Sequence, residues 1–177
     1  MNKILHTAIV ILCLAQSTYA NPNNNMDIPT LAKNLAENNP KAFRKATQEE
    51  IEILKSLKLP ESIVQFYKEF SPDLTLYGFT NLLTIKEMKL ENLEDIQPGA
   101  DVFKNGFVVF ASMDGDVFCF DLKSGDDPRI VLFGHEEPFD YLTREELIED
   151  KGKVVAKNLK EFLKKCLDET LDREPKY

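Results

Sequence analysis

The chain is expected to fold as an α+β domain, a mostly antiparallel β-sheet packed against N-terminal and C-terminal helices. Three observations lead there. First, residues 107–111, 117–120 and 130–133 are short runs rich in Val, Ile and Phe, punctuated by Met113-Asp114-Gly115-Asp116 and Ser124-Gly125-Asp126-Asp127. Such turns join strands into an antiparallel meander, because aspartate and glycine tolerate positive φ and bond back to the local backbone. Second, none of the three runs alternates apolar with polar, so both faces of the sheet call for cover, from this chain or from a partner. Third, helical stripes flank the meander: Ile63, Phe66, Tyr67 and Phe70 before it, and Val155, Leu159, Phe162, Leu163 and Cys166 after it.

The first residues point to export. Lys3 is the one charged residue among the first 20, an apolar stretch runs over 8–15, and Thr18-Tyr19-Ala20 places small residues where a signal peptidase reads. Residues 1–20 are expected to be a signal peptide cleaved between Ala20 and Asn21, which places the mature protein in the periplasm or outside the cell. The apolar stretch is short for a membrane span, so none is expected after cleavage. If translation starts instead at Met26, the protein is cytoplasmic. Cleavage removes Cys13 and leaves Cys119 and Cys166. That even number permits one disulfide, although both cysteines also fit as small buried hydrophobes.

Residues 21–46 read as a mobile spacer with one short helix, capped by Thr30 and striped by Leu31, Leu35 and Ala36. A single domain is expected over 47–177. Thr47 with Glu50 forms a capping box, each side chain bonding the other residue's free amide, and opens a helix striped by Ile51, Leu54 and Leu57. Leu59-Pro60 breaks it, and Pro60 suits the first turn of the aromatic helix that Ser71-Pro72-Asp73 stops. Residues 74–85 read as two short strands or one bent strand at an edge. Thr84 with Glu87 repeats the capping box and opens a helix through Met88, Leu90 and Leu93. Residues 95–105 are expected to be a loop with Pro98-Gly99 as its turn. After the meander come an acidic loop at His135-Glu136-Glu137, a short helix opened by Thr143, and a final helix over residues 153–171 that covers one sheet face.

Thirty acidic side chains against 22 basic ones give a formal net charge of −8. No basic cluster stands out, so nucleic acid is not an expected partner. An acidic surface suits a basic protein partner, steered by long-range attraction. His135 is the one histidine beyond residue 20, and a zinc site needs further nitrogen or sulfur ligands at short spacing. No serine sits in a Gly-x-Ser-x-Gly elbow, and no glycine-rich run precedes a helix where phosphate would bind. Asp114 and Asp116 flank one turn glycine and Asp126-Asp127 follow another, without the further oxygen ligands of a calcium loop. No active site, metal or cofactor is therefore expected, and a hydrolase would rest on carboxylates alone. What remains is a binding module, monomeric when free. Its candidate partner-binding residues are Asp114, Asp116, Asp126, Asp127, Glu136 and Glu137. The alternative is a small-molecule or cell-wall-ligand module with a pocket near Phe66, Tyr67 and Phe107.

Several motifs in order complete the reading. Leu59-Pro60 opens a helix ending in Phe66-Tyr67-Lys68-Glu69-Phe70, and Leu83-Thr84-Ile85-Lys86-Glu87-Met88 follows a short strand. Phe107-Val108-Val109-Phe110-Ala111 leads through Gly115-Asp116 to Val117-Phe118-Cys119-Phe120-Asp121, and Ala156-Lys157-Asn158-Leu159-Lys160-Glu161-Phe162-Leu163 lies near the C-terminus. In this order they resemble the SUKH superfamily, the Smi/Knr-type domain, over roughly residues 47–168. The resemblance implies an α+β domain that works by binding. Many bacterial members are immunity proteins that neutralise a cognate toxin without catalysis, and a basic toxin domain is the partner this resemblance implies.

Overall fold

The computed structural model describes residues 26–37, 41–73, 81–94, 96–135, 139 and 142–176. Residues 1–25, with the expected signal peptide, lie outside them. The centre is a five-stranded antiparallel sheet in the order β3-β4-β5-β6-β7. It comprises β3 (Asn81–Leu82), β4 (Phe107–Met113), β5 (Asp116–Asp121), β6 (Ile130–Phe133) and β7 (Lys153–Ala156). The expected meander is β4-β5-β6. Its first turn has two central residues, Asp114 at φ +53° and Gly115 at φ +96°, with Met113 opposite Asp116. Positive φ at both positions matches the twist of paired strands, which is why Asp-Gly suits it. β4 carries an irregularity between Val109 and Ala111 that breaks the register against β5.

Every residue of β5 and β6 is buried, as two-sided apolar runs require. The cover comes from this chain. Helix α7 (Leu159–Leu167) lays Phe162 edge-on against Phe110 and Phe118, at centroid distances of 5.1 and 5.3 Å, and Phe110 stacks on Phe120 at 4.1 Å. Helices α4 (Ile85–Leu93) and α5 (Gly99–Lys104) pack against β4. Two further helices, α2 (Gln48–Ser56) and α3 (Glu61–Glu69), extend the core through Leu54, Ile63, Val64 and Tyr67. The capping boxes form as expected at Thr47/Glu50 and Thr84/Glu87, and a third opens α6 (Arg144–Glu146) at Thr143/Glu146.

Five local expectations are corrected. The N-terminal helix α1 (Ile28–Leu35) is capped by Asp27, whose carboxylate accepts the Thr30 N–H at 2.8 Å, so Thr30 lies inside the helix. This helix packs on α7, with Leu31 and Ala32 fully buried. In α3 the buried stripe is Ile63, Val64 and Tyr67, whereas Phe66 and Phe70 are half-buried. Ser71-Pro72 does more than stop that helix: it forms β2 (Ser71–Pro72), paired antiparallel with β1 (Phe43–Arg44). Within residues 74–85, 74–80 lie outside the described residues, and Asn81–Leu82 pairs with β4 at the sheet edge.

The remaining two corrections concern whole elements. Residues 99–104 form α5 instead of a loop, and Gly99 permits it: a Cβ there would stand 2.1 Å from the Glu91 carbonyl oxygen of α4. The expected helix over 153–171 divides into β7 and α7. Asn158 makes the division, because its side chain accepts the Glu161 N–H at 2.9 Å and so caps α7 there. Cys119 and Cys166 are both buried and are not joined in a disulfide, and burial pushes the Cys119 thiol well up, which keeps it protonated.

Candidate functional site

The acidic candidates stand at two opposite ends of the sheet. Asp114 and Asp116 lie at the β4–β5 turn, while Asp126 and Asp127 lie in the connection from β5 to β6. At about 3.4 Å per residue along β5, the two ends are roughly 17 Å apart. Glu136 and Glu137 lie outside the described residues.

At the first end, Asp114 is exposed but Asp116 is only 7% exposed. Oδ1 of Asp116 accepts the His135 backbone N–H at 3.1 Å and lies 2.8 Å from His135 Nδ1. Asp116 thus ties the β4–β5 turn to the end of β6 and has little surface left for a partner. The His135 ring packs over Gly115, where a Cβ would come within 3.0 Å of it. A shallow cleft of about 430 Å³ opens here, lined by Met113, Asp114, Asp116, His135 and the tail residues Arg173 to Pro175. The tail is held against β7 by the Lys153–Asp172 ion pair at 2.7 Å.

At the second end, Asp126 and Asp127 are exposed. The Asp126 carbonyl accepts Ser62 Oγ at 2.8 Å, and Asp127 Oδ2 accepts Asn158 Nδ2 at 2.8 Å. The loop is therefore pinned to the first turn of α3 and to the cap of α7, which makes it a fixed acidic surface. Beneath it lies a fully buried carboxylate, Asp121, which sequence reasoning missed. Asp121 Oδ2 accepts Arg129 Nε at 2.9 Å, and Oδ1 accepts the Lys123 N–H at 3.1 Å and Nη2 of Arg144. Arg144 also lies over the Phe107 ring, 4.4 Å from its centroid. The one signal for Asp121 was its place at the end of an unbroken apolar strand; its arginines come from 8 and 23 residues further on.

A second cleft, about 510 Å³, lies between α1, β1 and the end of α3, where Phe43 and Phe70 meet Lys33, Arg44 and Lys45. The pocket expected near Phe66, Tyr67 and Phe107 is corrected by this: Tyr67 and Phe107 are packed into the core, and neither cleft is lined by any of the three. Among the described residues, no cluster of three or more His, Cys, Asp or Glu is placed to hold a metal ion. No helix among them is long and apolar enough to cross a membrane.

The fold is an antiparallel sheet wrapped by helices, with acidic turns at its ends and the buried carboxylate of Asp121 tied to Arg129 and Arg144. The family model for the SMI1 / KNR4 family (SUKH-1) matches residues 45–165, and the chain belongs to that family. The match spans the domain from just before α2 into α7 and leaves α1 outside. Among curated proteins, no significant match to the chain is found.

Proposed function

We infer that this chain is a non-catalytic protein-binding domain of the immunity type, which neutralises a cognate toxin by direct binding after export. Membership of the SUKH-1 family over most of the chain is the observation that carries the reading. The chemistry of the surface supports it. The formal net charge is −8, and the exposed carboxylates of Asp114, Asp126 and Asp127 project from fixed turns. Such charges accelerate encounter with a basic toxin domain and add modestly to its affinity. The leader-like residues 1–20 support export, so the partner is met in the periplasm or outside the cell.

A second reading, a small-molecule or cell-wall-ligand module, rests on the cleft at Phe43 and Phe70, whose apolar floor is rimmed by Lys33, Arg44 and Lys45 together with Glu37 and Glu69.

Because the two acidic ends stand apart, charge reversal separates them. Association of the purified complex is followed by stopped flow against ionic strength. Asp114→Lys in one variant, or Asp126→Lys with Asp127→Lys in another, is expected to slow association about tenfold at low salt and flatten its salt dependence. Unchanged kinetics in both variants removes the turns from the interface.

A further inference from the structure

The cleft between α1, β1 and the end of α3 carries charges that are not all answered within the protein. Its volume of about 510 Å³ falls within the roughly 300–1,000 Å³ usual for small-molecule sites. The floor is apolar: Ala36 is buried, and half-buried Phe43 and Phe70 line the space. Both rings are set from behind, Phe43 by pairing with Pro72 across β1 and β2, and Phe70 by stacking on Phe66 at a centroid distance of 5.9 Å.

Three cations and two carboxylates line the same cleft. Three of these five groups are already committed. Arg44 gives both Nη groups to Glu50 at 2.7 Å, a further bond to the Lys45 carbonyl at 3.0 Å, and Nε to Asp73. Lys45 and Glu69 pair with each other at 3.0 Å. Lys33 and Glu37 remain, both exposed and four residues apart where α1 ends. Among the described residues, neither forms an ion pair with the other or with any third group. The Lys33 ammonium lies over the Phe70 ring, 5.6 Å from its centroid, which keeps its charge at the edge of the apolar floor. Asp27 stands at the opposite end of α1, outside the cleft, where its carboxylate caps Thr30. The unspent charge of the cleft is therefore one cation and one anion, beside two aromatic rings.

We propose that this cleft binds a free α-amino acid with an aromatic or branched apolar side chain. Side chains four apart on a helix stand about 5–6 Å from each other at Cβ, a gap that a carboxylate and an ammonium on one carbon bridge. The ligand carboxylate pairs with Lys33 and its ammonium with Glu37, while its side chain lies against Phe43 and Phe70. A simple anion meets Glu37 as well as Lys33, and a simple amine meets Lys33 as well as Glu37, so the zwitterion alone answers both charges. The proposal rests on the small-molecule reading above, for which it names the ligand class, and requires no toxin.

The test is a titration of the full chain with L-phenylalanine, followed by amide chemical shifts at constant pH and ionic strength. The parallel arms are 3-phenylpropanoate, which lacks the ammonium, and 2-phenylethylamine, which lacks the carboxylate. Saturable shifts at Lys33, Glu37, Phe43 and Phe70 are expected, with phenylalanine bound about two- to fivefold more tightly than either analogue. Lys33→Gln and Glu37→Gln each change one exposed side chain and leave the Arg44 and Lys45 pairs in place, so both retain the fold. Lys33→Gln is expected to erase the advantage over 2-phenylethylamine, and Glu37→Gln the advantage over 3-phenylpropanoate. An advantage that survives both substitutions overturns the pairing with Lys33 and Glu37. An analogue bound at these residues as tightly as phenylalanine overturns the amino-acid assignment and leaves the small-molecule reading standing. The absence of saturable shifts at these residues with all three probes overturns both.

Discussion

At the residue scale, Asn92 shows how one polar side chain completes a sheet. β3 is only two residues long, so beyond Leu83 no strand among the described residues lies beside the edge of β4. Asn92 takes that place: Oδ1 accepts the Val109 N–H at 2.8 Å, and Nδ2 donates to the Val109 carbonyl at 2.9 Å and to the Met88 carbonyl at 2.7 Å. The amide thus imitates one residue of a β-ladder, in a position where water has no access. Asn92→Leu strips both backbone groups of Val109 of their partner and is expected to cost about 2–5 kcal/mol in urea unfolding, with faster exchange of the Val109 amide. A loss under about 1 kcal/mol contradicts this role. A trace of it was present in the sequence, since Asn92 lies on the same stripe of α4 as Ile85 and Met88. The burial of Asp116 left no such trace, and that of Asp121 only its place at the end of an apolar strand. Each is placed by a residue distant in sequence, His135 or Arg129 and Arg144, and helical or strand periodicity does not carry pairings of that kind.

At the element scale, local chemistry was legible and accidental phase was not. The boxes at Thr47/Glu50 and Thr84/Glu87 are complete within four residues, so the motif and the structure coincide. Val155 is four residues before Leu159, so a strand residue fell in phase with the stripe of α7 and read as its first turn. Pro98-Gly99 carried the composition of a turn, yet the glycine serves the close approach of α5 to α4. One capping box also has a longer reach. Glu50, buried in α2, forms a bidentate pair with Arg44 of β1, both contacts at 2.7 Å, while Arg44 Nε binds Asp73 just after β2. The Arg44 guanidinium holds the Glu50 carboxyl at about 2, well below its ordinary 4.5. The folded state thus binds the Glu50 proton less readily than the unfolded chain. The resulting stability is fully present above about pH 4.5 and is lost as pH falls toward 2. Glu50→Gln is expected to lower stability at pH 7 and to flatten the acid limb of a stability–pH profile between those values. An unchanged acid limb contradicts the pairing.

At the scale of the whole molecule, the sheet is enclosed by its own helices, so no partner is needed to complete the core. α1 belongs to that enclosure although the family match begins at residue 45, since Leu31 and Ala32 are buried where it crosses α7. What the chain offers to others is its rim, and the rim is divided. One end presents Asp114 beside the tail, the other Asp126 and Asp127 above Asp121. Among the acidic candidates in the described residues, β5 sets Asp114 and Asp116 at one end and Asp126 and Asp127 at the other. The most direct measurement of the central claim is capture of the tagged mature chain, residues 21–177, from the exported fraction of its own cells at low ionic strength, followed by reconstitution of the purified pair. The account predicts one basic protein in 1:1 ratio, a complex that salt weakens, and loss of that protein's toxicity once bound. A chain that comes down alone and monomeric, or a bound partner that stays toxic, contradicts it.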